Sequence, residues 1–134
     1  MPLTGRCQCG GAAYEVAGAP LEVYVCHCQE CRRQSSSAFG ISVIVRAADV
    51  SVLRGNLKRW SRPTDSGGTL DCTFCADCGS RLFHAAPGED TVSVKGGSLD
   101  VPPDLAGAAH IWTSRKLAGV VIPADAPQFP EEPG

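Results

Sequence analysis

Eight cysteines in closely spaced groups constrain this chain more than any other feature. Cys7 and Cys9 form a C-x-C, and Cys26, Cys28 and Cys31 form a C-x-C-x-x-C. Cys72, Cys75 and Cys78 form a C-x-x-C-x-x-C. Eight in 134 residues falls below the roughly 8–10% of a short disulfide scaffold. Met1–Pro20 contains Arg6, Glu15 and four glycines but no apolar core, so no secretory leader is read there. Thiols at this spacing then point to metal ligands rather than bridges, and to a cytoplasmic protein. The longest apolar stretches, Ala38–Val45 and Leu117–Ala124, fall well short of the ~18 residues of a membrane span.

Fifteen glycines and ten prolines cut the remaining chain into short pieces, which favours strands over long helices. Alternation and β-branched content predict strands at Leu21–Val25, Phe39–Arg46 and Val50–Arg54. Gly55-Asn56 is expected to turn the third of these into Leu57–Ser61 as a hairpin. Further strands are expected at Thr69–Phe74, Arg81–Ala85, Thr91–Lys95 and Ala109–Ser114. Helical turns are expected only at Gln29–Ser35 and Pro103–Ala106. The Pro-rich tail, residues 123–134, should be extended or loosely docked. The reading is one mainly β domain over residues 1–134, since 43% hydrophobic and 19% charged residues suit a globular core.

Phe74-Cys-Ala-Asp-Cys-Gly79 has the form of a zinc knuckle, in which two intervening residues let a tight turn aim both sulfurs at one ion. A closed structural site needs four ligands, and Cys7-Gln-Cys9-Gly-Gly11 is the evident second donor. The competing reading of Cys75 and Cys78 as a redox dithiol fits poorly, because such pairs begin a helix in a βαβ setting and a β run follows here. Cys26-His-Cys-Gln-Glu-Cys31 differs in offering three thiols within six residues. Three protein ligands leave a tetrahedral position open to water or substrate, as in catalytic zinc sites. The alternative is a second closed site completed by Cys72 or a histidine. His27, wedged between two ligands, is read as a neighbour of the ion or as substrate-facing, not as a ligand. Cys72 has three readings: fourth ligand, redox thiol, or buried filler.

At these residues the chain resembles a known family. Gly5-x-Cys-x-Cys-Gly, Cys26-His-Cys-x-x-Cys-Arg-Arg33 and Phe74-Cys-x-x-Cys-Gly-Ser-Arg-Leu82 are similar to the glutathione-dependent formaldehyde-activating enzymes, a family that includes the centromere protein V group. The likeness extends to His110-Ile-Trp-Thr-Ser-Arg-Lys116 and Pro127-Gln-Phe-Pro130. It implies a β-tent fold of small coiled antiparallel sheets, two zinc ions per chain and a carbon–sulfur lyase activity. It places the structural zinc on Cys7, Cys9, Cys75 and Cys78, and the catalytic zinc on Cys26, Cys28 and Cys31. The second ion, with three protein ligands, is expected to be the more labile.

The implied reaction adds glutathione, or a similar thiol, reversibly to formaldehyde or another small aldehyde. Only a thiolate attacks a carbonyl carbon efficiently, and a zinc ion deprotonates a thiol that it binds. Three thiolates leave such an ion formally anionic and a weak Lewis acid, so thiol activation is its expected task. Glutathione carries two carboxylates, which call for cationic donors. Arg32 and Arg33, directly after Cys31, and Arg115, after the His110–Trp112 segment, are the candidates. Ser35 offers a further donor, and His110 and Trp112, two residues apart, are expected to line one wall of the pocket. His84, in a strand, is read as structural.

A second function class is a non-catalytic, zinc-stabilised binding module. A net charge of −2, made more negative by metal-loaded thiolates, argues against nucleic acid as its partner. No run of basic residues exceeds Arg32-Arg33 or Arg115-Lys116. The sequence carries no signal of a membrane partner or of an oligomeric state.

Overall fold

A computed structural model of the chain describes residues 2–133. Its strands are β1 (Leu3–Arg6), β2 (Ala13–Val16), β3 (Glu22–Cys26), β4 (Gly40–Arg46) and β5 (Val50–Arg54). They continue with β6 (Leu57–Pro63), β7 (Thr69–Cys75), β8 (Arg81–Ala85), β9 (Thr91–Lys95) and β10 (Ala109–Ile111). The single α-helix among the described residues, α1, covers Gln29–Ser35 as expected. A three-stranded sheet runs β1-β2-β5, and a seven-stranded sheet runs β10-β3-β4-β9-β8-β7-β6. Every pairing is antiparallel except β10 on β3, so the large sheet is mixed at that edge.

Alternation assigns the two faces of the large sheet. Val43 and Val45 on β4 and Val94 on β9 point inward with Phe83, and meet Tyr14 and Val16 of the small sheet. Tyr14 packs edge-on against Phe83, ring centroids 4.9 Å apart, and its hydroxyl bonds Ser98 Oγ at 2.6 Å. Full burial of each such valine stabilises the fold by about 1.5–3 kcal/mol. The other face carries polar groups: the register aligns Trp60 with Cys72, Cys72 with His84, and His84 with Ser93. On the same face Lys95 lies opposite Ser42. Its buried ammonium donates to Ser93 Oγ at 3.0 Å and to Ser42 Oγ at 3.3 Å.

Four expectations change. Strands β1 and β2 were not expected, being only four residues each. They form because Gly5 lets the ring of Tyr14 lie directly against the backbone, where a Cβ would clash. β5 and β6 do not form a hairpin: β5 pairs with β2, and β6 with β7. Gly55, at φ +127°, passes the chain from one sheet to the other. The strand expected over Ala109–Ser114 stops at Ile111, because Trp112 takes the left-handed conformation (φ +54°) and a 3-10 turn follows. No helical turn forms at Pro103–Ala106, where Pro103 and the preceding Pro102 lack donors and Asp104 Oδ1 accepts from the Ala106 N–H at 2.9 Å.

The tail is docked. Pro127 O accepts from the His110 N–H at 2.8 Å, and the Phe129 N–H donates to His110 O at 2.9 Å. The Trp112 N–H continues the line to Glu131 O at 3.0 Å. No helix among the described residues is long and apolar enough to cross a membrane.

Candidate functional site

The β1–β2 turn and the end of β7 bring Cys7, Cys9, Cys75 and Cys78 together, their sulfurs all within 4.8 Å of one another. The Cys7 N–H donates to Ala12 O and the Gly10 N–H to Cys7 O, closing the first turn around Gly10 at φ +78°. Gly79, at φ +81°, turns the second. Cys7 and Cys9 sulfurs are 3.5 Å apart, and Cys9 and Cys75 sulfurs 3.8 Å. Four sulfurs placed tetrahedrally at ~2.3 Å from one ion would lie ~3.8 Å apart, so the set fits zinc. Backbone donors already face the sulfurs: Ala12 N–H to Cys7 Sγ at 3.2 Å and Gly11 N–H to Cys9 Sγ at 3.4 Å. The Ser80 hydroxyl, followed by backbone N–H groups of Ser80 and Cys9, holds the Cys78 thiol down to about 5.

The second group comprises Cys26, Cys28 and Cys31, again within 4.8 Å. Cys26 ends β3, Cys28 caps α1, and Cys31 lies in its first turn, where its N–H donates to Cys28 Sγ at 3.3 Å. Hydrogen bonds from the Cys26 and Cys31 thiols push Cys28 far below the ordinary thiol range. The bond to Cys28, first among several causes, pushes Cys26 far up. Three thiols so close can shed one proton readily but not three, unless a cation joins them. That is the behaviour of a metal ligand set, and its soft donors suit zinc.

Among the described residues no fourth cysteine or histidine joins this group. Cys72 is fully buried and stands apart from it, its thiol 3.8 Å from Leu70 O. His27 turns away into the interior, where its Nε2 lies 2.9 Å from His110 Nδ1. It therefore lies buried beside the cysteines instead of opening to the surface. Lys95 is the nearby cation that sequence reasoning missed. Burial pushes its ammonium pKa down, while Cys31, Cys26, Cys72 and Cys28 pull it back. The lone lysine in the alternation Val92-Ser-Val-Lys95 was the available signal.

Two clefts lie by the cysteine groups, one lined by Cys31 and the other by Cys7 and Cys78. A small one of about 260 Å³ is lined by Cys31, Arg33, Trp60, Arg62, Arg81 and His84, with Glu30, Gln34 and Leu70 completing it. A larger one of about 900 Å³ runs past Ser35–Ser37, Gly97 and Ser98 to Arg6 and Asp100, with Lys95 in its wall. Gln34 and Arg81 line both. Of the anticipated substrate contacts, Arg33 lines the small cleft and Ser35 the large one. Arg32, His110, Trp112 and Arg115 line neither. His110 is buried against His27, and the Trp112 indole N–H donates to Glu132 at 3.0 Å. The break of β10 at Trp112 removes the common facing expected of His110 and Trp112.

The model of the glutathione-dependent formaldehyde-activating enzyme family matches residues 2–115. The chain belongs to that family. A crystal structure of a Rhodobacter sphaeroides protein, a structural-genomics target, is similar at 27% identity and a TM-score of 0.61. The likeness covers 80% of this chain and 97% of that one. Membership in the formaldehyde-activating enzyme family links this protein to formaldehyde–glutathione chemistry, and both cysteine groups suit zinc. Within this family member, the cations that line the small cleft with Cys31 are Arg33, Arg62 and Arg81. The last two come from strands far from the middle cysteine motif in sequence.

Proposed function

We propose that this protein is a zinc-dependent carbon–sulfur lyase of the cytoplasm, adding glutathione or a similar thiol reversibly to formaldehyde or another small aldehyde. The observation that supports this best is the three-thiol group itself. It has no fourth protein ligand among the described residues, and Cys31 forms part of a cleft wall. In this reading the four-cysteine group binds a structural zinc ion, while Cys26, Cys28 and Cys31 hold a second, more labile one.

A zinc ion held by these three residues would keep a further thiol ionised at neutral pH. The substrate sulfur forms the new bond to the carbonyl carbon as the carbonyl π pair moves onto oxygen, which takes up a proton. The reverse step releases aldehyde and thiol without any change of oxidation state. Lys95 lies against the cysteine group: burial disfavours its charged form, and the negative charge of the thiolates favours it. Arg33 and Ser35 are the substrate contacts of the original set that line the clefts. The buried pair His27–His110 fixes the ligand loop from behind.

Cys28→Ala tests this assignment. Thiol-dependent turnover of formaldehyde should vanish, and metal content should fall to the share of the four-cysteine group. Full activity, or loss of all metal, would contradict two separate centres with the chemistry at the second. A wild type that holds both ions yet binds no thiol would favour the non-catalytic module.

A further inference from the structure

The small cleft carries more positive charge than an aldehyde as small and neutral as formaldehyde would need. Arg33, Arg62 and Arg81 surround it, against one carboxylate, Glu30. The one ion pair among the described residues joins Arg59 to Asp71 at 3.7 Å, so none of the three arginines is neutralised within the protein. Arg81 is nonetheless held in place. Its guanidinium donates to His84 Nε2 at 3.1 Å and lies 5.5 Å from the centroid of the Trp60 ring. Burial, then the nearby Lys95, Arg81 and Arg62, push the His84 pKa down to about 3. The imidazole is therefore neutral and offers Arg81 a lone pair without cancelling its charge. An arginine positioned by a neutral ring and an aromatic face keeps its full charge for a ligand.

We propose that Arg62 and Arg81 form a carboxylate subsite beside Cys31, with Trp60 and His84 as the positioning residues of Arg81. This rests on the thiol-addition reading above and extends it: the substrate that enters this cleft carries an acid group. Two sources share that chemistry. One is a carboxylate of the thiol itself, its peptide body lying along the larger cleft that Arg81 also lines. The other is the carboxylate of an acidic carbonyl partner, such as glyoxylate. In either case a carbon–sulfur bond forms, the carbonyl π pair goes to oxygen with one proton, and no oxidant is required.

Titration calorimetry on the zinc-loaded full chain decides it, with wild type, Arg62→Ala, Arg81→Ala and Arg81→Lys. The probes are glutathione, its diethyl ester and glyoxylate. Each alanine variant should weaken at least one of the two acids by about tenfold to a hundredfold, the range for charge-assisted hydrogen bonds, and leave the diester unchanged. Arg81→Lys should recover part of the loss. Weakening of glutathione alone identifies the thiol as the source, and weakening of glyoxylate identifies the carbonyl partner. If Arg81→Ala lowers the melting midpoint, Arg62→Ala at the sheet edge still carries the test.

Unchanged affinity for both acids in the alanine variants, or failure of wild type to bind either acid, overturns the subsite. Equal weakening of the diester would also overturn it, because the arginines would then be acting only on the fold. A wild type that binds glyoxylate but neither glutathione nor its ester would sink the thiol-addition reading. The subsite would then stand or fall on the glyoxylate series.

Discussion

The imidazoles of His27 and His110 stack with ring centroids 5.2 Å apart and share a hydrogen bond of 2.9 Å. The bond ties the loop between Cys26 and Cys28 to β10, which runs parallel beside β3. His27 N–H also donates to Ile111 O at 3.0 Å, so both its backbone and its ring are fastened to the same strand. A residue flanked by two candidate ligands is thus an anchor for them.

His110→Ala should leave the fully buried His27 ring without any side-chain hydrogen-bond partner, since its Nδ1 already has none. The cost should be about 1–3 kcal/mol, the penalty for an unsatisfied buried polar group. Thermal unfolding of the metal-loaded protein would measure it. A melting midpoint within a degree of wild type would mean that the pair contributes nothing.

Cys78 is exposed, and an exposed cysteine changed to serine ordinarily shifts stability by no more than ~0.5 kcal/mol. As one of four ligands its loss should instead unfold or precipitate the protein, because structural metal binding is folding free energy. Cys78→Ser, followed by circular dichroism and metal analysis, separates the two expectations. A soluble variant that melts like wild type would remove Cys78 from the metal set.

Acid should destabilise the fold through His84. Its pKa is depressed, chiefly by burial, from 6.5 to about 3 in the folded state. Between those two values the unfolded chain binds the extra proton and the folded chain does not. Stability is therefore full above pH 6.5, and below that it falls by up to about 1.4 kcal/mol per pH unit, levelling off near pH 3. Denaturant titrations at pH 7.5 and 5.0 would show the loss, and His84→Gln should reduce it. Identical midpoints at both pH values in wild type would contradict a neutral buried His84.

The two thiol groups of the candidate site were legible because their cysteines come in short local runs. The spacing of Cys26, Cys28 and Cys31 lies within one strand end and one helical turn, so adjacency in sequence guarantees adjacency in space. The same holds for Cys75 and Cys78 around Gly79. Strands β4, β8 and β9 were legible for a related reason, since alternation such as Val92-Ser-Val-Lys95 reports a half-buried sheet directly.

Other features depend on contacts between distant segments. Val50–Arg54 and Leu57–Pro63 have strand character and a turn between them, yet both stay largely exposed and each pairs with a partner set by the tertiary fold. That partner is β2 for the first and β7 for the second. The arginines at the small cleft depend on the same thing: Arg33 lies two residues from Cys31 in sequence, whereas Arg62 and Arg81 reach the cleft only because β6 and β8 line it together with α1. Composition and spacing determined a mainly β chain with two thiol groups suited to metal. Which charges, histidines and clefts surround those groups was decided by tertiary packing, because a side chain's field and burial depend on neighbours that local sequence does not specify.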